Sequence, residues 1–274
     1  MNAHKKSNSS CGSYCGDYLR AHDPDRFLIS MFVPAEKREG IWALFAFNHE
    51  IAKTRDVVSE ATLGHIRLQW WRDAIKDIYE KGYVPEHEVL KPLSEAIEQH
   101  NLPKEYFDKL LYAREFDLED VQPANLEGLM NYADFTTQPL LQLAVQICGD
   151  DPDQEVIQPV AINYAMAGII RATAHNARHG FYLLPEDLMH KHQVTKESVF
   201  EESGQAGLKS LIEEMVTQKL ARTNPNNVIL KSSEALSDIY FKQIRALGYD
   251  VMSPSISQEP NFKVLRLFWR IKLL

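Results

Sequence analysis

Leu44-Phe45-Ala46-Phe47-Asn48-His49-Glu50-Ile51-Ala52-Lys53-Thr54-Arg55-Asp56 is the stretch on which the fold turns. Ile41, just ahead of it, and then Phe45, Asn48, Ala52 and Asp56 recur at three- and four-residue spacing, which places them on one helical stripe. Pro34 and the charged turn Ala35-Glu36-Lys37-Arg38 open this helix. Proline suits a helix start, because the first N–H groups have no intrahelical acceptor. The spacing therefore predicts a helix over Pro34–Asp56, ending in two cations, Lys53 and Arg55, and one carboxylate.

The same periodicity continues outward. Leu63–Tyr79 carries Ile66, Trp70, Ile75 and Ile78 as an apolar face, and Glu88–His100 and Pro103–Asp120 flank a boundary at Asn101-Leu102-Pro103. A helix over Leu126–Cys148 stops at Gly149, and Pro139 inside it predicts a kink or a new start. Gln154–His179 carries a stripe of small residues, Ala161, Ala165, Gly168 and Ala172, with Gly180 as its carboxy-terminal cap. Gly207–Arg222, Ser233–Leu247 and the apolar-basic stretch Phe262–Leu274 complete the series. No alternating run is long enough to predict a strand. Most stripes read as core packing. Linkers near Val84–His87, Asp150–Asp153 and Asn224–Asn227 are short. The expectation is one all-α domain over residues 21–274 behind a flexible segment 1–20.

At 274 residues, with 45% hydrophobic and 25% charged content, the chain has the make-up of a soluble globular protein. Its net charge of −8 argues against tracking a nucleic-acid backbone, which needs a cationic surplus. Cys11, Cys15 and Cys148 cannot all pair, which favours a reducing compartment, and Cys11-Gly12-Ser13-Tyr14-Cys15 lacks the second cysteine pair of a zinc site. No run of about 18 apolar residues predicts a membrane span. The first residues, with Lys5, Lys6 and several serines, have no apolar core of a secretory signal and little arginine for a mitochondrial presequence.

Several segments together resemble the squalene/phytoene synthase family. Met31-Phe32-Val33-Pro34 leads into Leu44-Phe45-Ala46-Phe47 as that family's Leu-Pro leads into Tyr-Ala-Phe. Leu68-Gln69-Trp70-Trp71-Arg72 looks like its Trp-Arg segment, and Thr137-Gln138-Pro139-Leu140-Leu141 stands where it carries Ala-Gly-Thr-Val-Gly. Gly168–Pro185 is similar to its second aspartate-rich motif and the Arg-Ile-Tyr-Leu-Pro that follows, here Phe181-Tyr182-Leu183-Leu184-Pro185. The resemblance spans nearly the whole chain in the correct order. It implies an all-α isoprenoid-synthase-type helical bundle, monomeric or weakly dimeric, with a central cavity.

In active members an Asp-x-x-x-Asp on each of two facing helices holds magnesium against substrate diphosphates. Carried over by position, the first motif reads Ala52-Lys53-Thr54-Arg55-Asp56 and the second Ala172-Thr173-Ala174-His175-Asn176, so only Asp56 remains. Magnesium demands several oxygen donors in near-octahedral geometry. Lys53, Arg55, Arg171 and Arg178 instead make the region cationic, with His175 neutral beside them. No catalytic residue and no metal or other cofactor is expected. The closer likeness of Ala46-Phe47-Asn48-His49-Glu50-Ile51-Ala52 and Asp56-Val57-Val58-Ser59-Glu60 is to a subgroup with a phytoene-synthase-like assembly factor of mitochondrial complex I and alphaproteobacterial relatives. That implies a catalytically silent assembly factor for respiratory complex I (NADH:ubiquinone oxidoreductase). Its partners would be complex I subunits or assembly intermediates. Its place would be a bacterial cytoplasm at the inner membrane face, or the matrix side in a processed eukaryotic form.

Other residues carry open alternatives. Asp56 is a residual ligand or, by preference, an intrahelical partner of Lys53. Arg171 and Arg178 either grip a phosphate or carboxylate headgroup, together with Lys53, Arg55 and His175 as candidate anion or ligand contacts, or simply complement the helix carboxy-terminus. His175 and His179 are four apart, but no third ligand accompanies them. Trp42, Phe45, Phe47, Trp70 and Trp71 line a prenyl or lipid cavity or belong to the core. Phe262–Leu274 docks on the bundle or, as an amphipathic segment, makes peripheral membrane contact. The alternative activity is a prenyltransferase that condenses or binds prenyl diphosphates through an altered anion site, with magnesium if so. A prenyl or lipid carrier without chemistry is a third.

Overall fold

The computed structural model describes residues 13–151 and 153–272, all of its regular structure helical. In chain order the helices are α1 (Tyr14–His22), α2 (Pro24–Ser30), α3 (Arg38–Ala52), α4 (Thr54–Val57), α5 (Ala61–Lys81), α6 (Leu90–His100) and α7 (Lys104–Leu118). Then come α8 (Leu126–Cys148), α9 (Gln154–Arg178), α10 (Glu186–Lys191), α11 (Gln205–Thr217), α12 (Val228–Ala246) and α13 (Lys263–Lys272). Short 3-10 turns precede α3 and α11.

The expected helix Pro34–Asp56 forms as α3, then breaks at Lys53 before the single turn α4. Leu126–Cys148 is one helix that runs through the buried Pro139, so no new helix starts there. Gly149 (φ 87°) and Gly180 (φ 73°) adopt the left-handed conformation beyond α8 and α9, where a side chain would be strained. Helix α12 starts five residues ahead of the expected Ser233, because Asn227 Oδ1 accepts the N–H of Ile229 at 2.8 Å as a cap.

The expected boundary at residue 20 falls inside α1. Residues 1–12, with Cys11, lie outside the described residues. From Ser13 onward the chain is helical: Ser13 Oγ accepts the Gly16 N–H at 3.1 Å, and Cys15 and Leu19 are buried against α3. Gly16 lies so close under Trp42 that a Cβ there would stand 2.9 Å from the indole. Burial pushes the Cys15 thiol up to about 12, and the Cys148 thiol up to about 11, so neither is a ready thiolate.

Helices α8 and α9 pack together at the centre, with α7 and α3 against α8 and α12 against both; α5 closes on α7 and α1 on α3. One apolar core threads them. Phe47 sits at its aromatic centre, its ring edge-on to both Trp71 and Phe107 at 5.5 Å. Half of the apolar face expected of α5 is in the core, with Ile75 buried and Ile78 packed against it, and half is not. Leu68, Trp71 and Ile75 are buried, while Ile66 and Trp70 are exposed. The winning stripe starts at Gly64, where a Cβ would fall 2.6 Å from Leu118 and hold α5 off α7. Trp70 rests on the outside against Trp71 and His87.

Candidate functional site

The α3–α4 junction lies where the first aspartate motif would stand. Ala52 ends α3 and offers no donor. Lys53 does not pair with Asp56; it donates to Glu50 at 2.7 Å and to the Tyr18 hydroxyl at 3.0 Å. Arg67 reaches the other Glu50 oxygen at 2.7 Å. Burial would raise the Glu50 pKa, but hydrogen bonds from Lys53 and Tyr18, with the Arg67 charge, outweigh it and hold the carboxyl below its ordinary value. Asp56 is exposed, and no ion pair engages it among the described residues.

Arg55 points the other way. Its guanidinium donates to the Asp117 carbonyl, pairs with Asp120 and lies 4.3 Å from the Phe181 ring centroid. It thus ties α4 to the end of α7 and to the irregular segment after α9. Phe181 is itself fixed by its N–H to the Asn176 carbonyl at 2.9 Å. At the second motif Ala172 and Asn176 are half-buried, and His175 and Arg178 are exposed. The His175 and His179 rings lie 4.4 Å apart, tilted by 43°, with the His179 Nδ1 2.8 Å from the His175 carbonyl, which commits that nitrogen to the backbone. The four motif positions therefore supply one exposed carboxylate, from Asp56, and one amide, from Asn176. That donor set does not fit a magnesium cluster. Among the described residues no group of three or more His, Cys, Asp or Glu side chains is placed to hold a metal ion.

Elsewhere in the bundle, α2, α7, α8, α9 and α12 line a half-open polar cavity of about 280 Å³. Three arginines line it: Arg26, Arg114 and Arg171. Arg26 is held by Asp23 at 2.6 Å and lies 5.6 Å from the Tyr164 ring. Arg114 pairs with Asp117 at 3.0 Å, and Asp117 also accepts the Tyr132 hydroxyl at 2.6 Å. Arg171 stacks 3.6 Å from the Tyr240 ring centroid and lies 3.7 Å from Asp25. Asp25 is shared with the Tyr240 hydroxyl (2.6 Å) and Lys263 (2.9 Å). Burial, with nearby carboxylates, pushes the Tyr132 and Tyr240 phenols far up, so both stay protonated donors. Among the described residues the Nε groups of Arg114 and Arg171, like that of Arg67, are buried with no acceptor, a cost in each case.

The small stripe of α9 makes the room. Ala165 and Gly168 line this cavity, and a Cβ on Gly168 would meet nothing within 4 Å. A second, apolar cavity of about 580 Å³ lies between α7 and α8, walled by Tyr112, Phe116, Phe135 and Phe181. Tyr132 lines both cavities, and its bond to Asp117 forms part of the partition. Trp42, Phe45, Phe47, Trp70 and Trp71 line neither. Phe45, Phe47 and Trp71 are core, and Trp42 donates its indole N–H to Ser30 at 2.7 Å.

Of the sequence candidates, then, Arg171 alone lines the polar cavity; Lys53 and Arg55 are engaged elsewhere, and His175 and Arg178 face solvent. Local sequence does not mark Arg26 and Arg114 as cavity residues, since each sits three residues from an aspartate and reads as an ordinary intrahelical pair. Tyr132, Tyr164 and Tyr240 carry no local signal that separates them from core.

The backbone follows that of a dehydrosqualene synthase over 95% of this chain and 94% of that one, with a TM-score of 0.77 at 16% identity. Squalene synthase HpnC from Alicyclobacillus acidocaldarius is similar over 86% of this chain and 93% of its own, at a TM-score of 0.75 and 18% identity. The protein is an all-helical bundle of the isoprenoid-synthase class. The squalene/phytoene synthase pattern matches residues 19–223, and the chain belongs to that family. Among named relatives, the human NADH dehydrogenase (ubiquinone) complex I, assembly factor 6 is 31% identical over 273 residues, 94% of this chain and 81% of the human protein. Phytoene synthase 1 of Arabidopsis thaliana is 21% identical over 69% of this chain and 46% of its own length.

Proposed function

We propose that this chain is a catalytically silent member of the squalene/phytoene synthase family that assists the assembly of respiratory complex I. The observation that carries the reading is the fate of the motif positions. Ala52, Ala172 and Asn176 bring no carboxylate, and the Arg55 guanidinium is fastened across to Phe181, Asp117 and Asp120. Ionising a prenyl diphosphate calls for cations that neutralise the leaving group, and magnesium has no donor cluster to occupy here. The likeness to the complex I assembly factor, longer and closer than that to phytoene synthase, supports the same reading.

In this reading the partners are complex I subunits or assembly intermediates. The two adjoining cavities hold a prenyl or lipid ligand, its apolar part beside Phe116 and Phe135 and its anionic group beside Arg26, Arg114 and Arg171. Direct guanidinium contacts replace the metal there. The test is complementation: cells lacking their complex I assembly factor 6 receive this chain, targeted to the same compartment. Restored NADH:ubiquinone oxidoreductase assembly, resolved on native gels, is expected. Failure by a well-expressed, correctly targeted chain counts against the assembly role.

The second reading, a prenyltransferase with an altered anion site, is favoured by the three inward arginines. It predicts turnover of farnesyl or geranylgeranyl diphosphate to a head-to-head product, which product analysis by mass spectrometry detects or excludes.

A further inference from the structure

Helix α13 is amphipathic in the inverted sense. Successive residues turn by about 100°, so Lys263, Arg266, Leu267 and Arg270 share one face, and Val264, Leu265, Phe268, Trp269 and Lys272 the other. The cationic face is turned to the protein. Lys263, 5% exposed, is held by Asp25 at 2.9 Å and Glu259 at 2.6 Å, and Arg270 reaches Asp238 at 3.1 Å. The outward face is apolar: Leu265 is 51%, Phe268 45% and Trp269 52% exposed, with Phe262 at 77% just ahead of the helix. A helix docked only to complete the core would point those side chains inward. Here buried ion pairs anchor the charges, and the aromatic face is left for something else.

The surrounding charge points to what covers it. Helix α13 holds no acidic residue, although the chain carries a net −8. Lys231, Lys242 and Arg245 lie on the α12 stripe that includes Ala235 and Asp238, the two residues contacted by Arg270. These three, with Arg266 and Lys272, have no ion pair among the described residues. An apolar aromatic strip rimmed by free cations matches a bilayer surface with anionic headgroups. A second copy fits poorly, because a two-fold pairing of α13 faces would bring the same cations together. No described helix is long and apolar enough to cross a membrane, so the contact lies in the interface plane.

We propose that α13 seats the protein on a bilayer containing anionic lipid, with Phe262, Leu265, Phe268 and Trp269 inserted and the cations of α12 and α13 on the headgroups. The proposal does not depend on the assembly role. The test is flotation of the full chain with vesicles of phosphatidylcholine alone and with phosphatidylglycerol added. The chain is expected to float with the mixed vesicles and to be released by high salt. Phe268→Asp with Trp269→Asp is expected to weaken binding about tenfold or more, while Ile66→Asp, on the exposed side of α5, leaves it unchanged. Arg266→Glu with Lys272→Glu provides a second variant, expected to remove the preference for anionic vesicles. Circular dichroism confirms that each variant is folded. Wild-type protein that floats with neither vesicle, or a folded aspartate variant that floats as well as wild type, overturns the proposal. So does a dimer that Trp269→Asp disrupts in the absence of any vesicle binding.

Discussion

The rim of the bundle and the polar cavity commit their cations to different parts of the fold. At the rim, Lys53 and Arg55 are spent on protein partners, Glu50 in one case and Asp117, Asp120 and Phe181 in the other. At the cavity, Arg26, Arg114 and Arg171 face Asp23, Asp117 and Asp25, and among the described residues the buried Nε of Arg114 and of Arg171 has no acceptor, as is also true of Arg67 beside Glu50. In the proposed reading, the motif positions lack the carboxylates that would collect divalent cations, while the arginine-lined cavity remains. A protein can shed metal chemistry without closing the space in which a ligand sits, because the two properties rest on different residues.

The comparison can be broken most severely at the partition between the cavities. Arg114→Ala removes the partner of Asp117, whose side chain is 9% exposed. It leaves a buried carboxylate with the Tyr132 hydroxyl as its remaining side-chain bond. Breaking such a pair costs about 3–5 kcal/mol, so a large drop in denaturant midpoint is expected. A rim change of the same kind, Arg55→Ala, removes a half-exposed pair, the hydrogen bond to the Asp117 carbonyl and one cation–π contact. It is expected to cost only about 1–2 kcal/mol. Equal losses at the two sites would erase the distinction drawn between rim and interior.

Filling the cavity sharpens the same contrast without harm to the fold. Gly168→Leu projects into open space and replaces a helix-interior glycine, a gain of up to about 1 kcal/mol. The expected outcome is a slightly raised Tm together with loss of any binding of inorganic pyrophosphate. A lowered Tm would mean that the cavity is not open at this point.

Acidification should act near the rim. Burial is the main cause that lowers the His49 pKa below the ordinary imidazole value, and burial likewise lowers that of His87. The unfolded chain then binds more protons than the folded one, so stability falls as pH drops through about 6.5 toward the folded values. Glu50, held below 4.5, contributes stability above that pH which is lost as pH falls through its folded pKa. Two descending steps in Tm against pH are expected, the upper one reduced by His49→Gln.

Much of this was legible in the residues. The helical stripes of α3 and α9, the glycine stops at Gly149 and Gly180, and the missing aspartates all follow from local spacing and residue chemistry. What local spacing does not reveal is which of two competing apolar faces wins, as on α5, where the small volume of Gly64 decides in favour of Leu68 and Trp71. Nor does it reveal that Arg26 and Arg114 turn inward, since an arginine three residues from an aspartate is usually a solvated pair. The inverted seating of α13 was hidden for the same reason: its pattern states that the helix is amphipathic, but not which face meets the protein.

The most direct measurement is calorimetric titration of the purified chain with a non-hydrolysable farnesyl diphosphate analogue, with and without magnesium. The account predicts no binding, or binding indifferent to magnesium and removed by Arg171→Met. Binding that appears only with magnesium would contradict it and return the chain to the metal-dependent chemistry of its family.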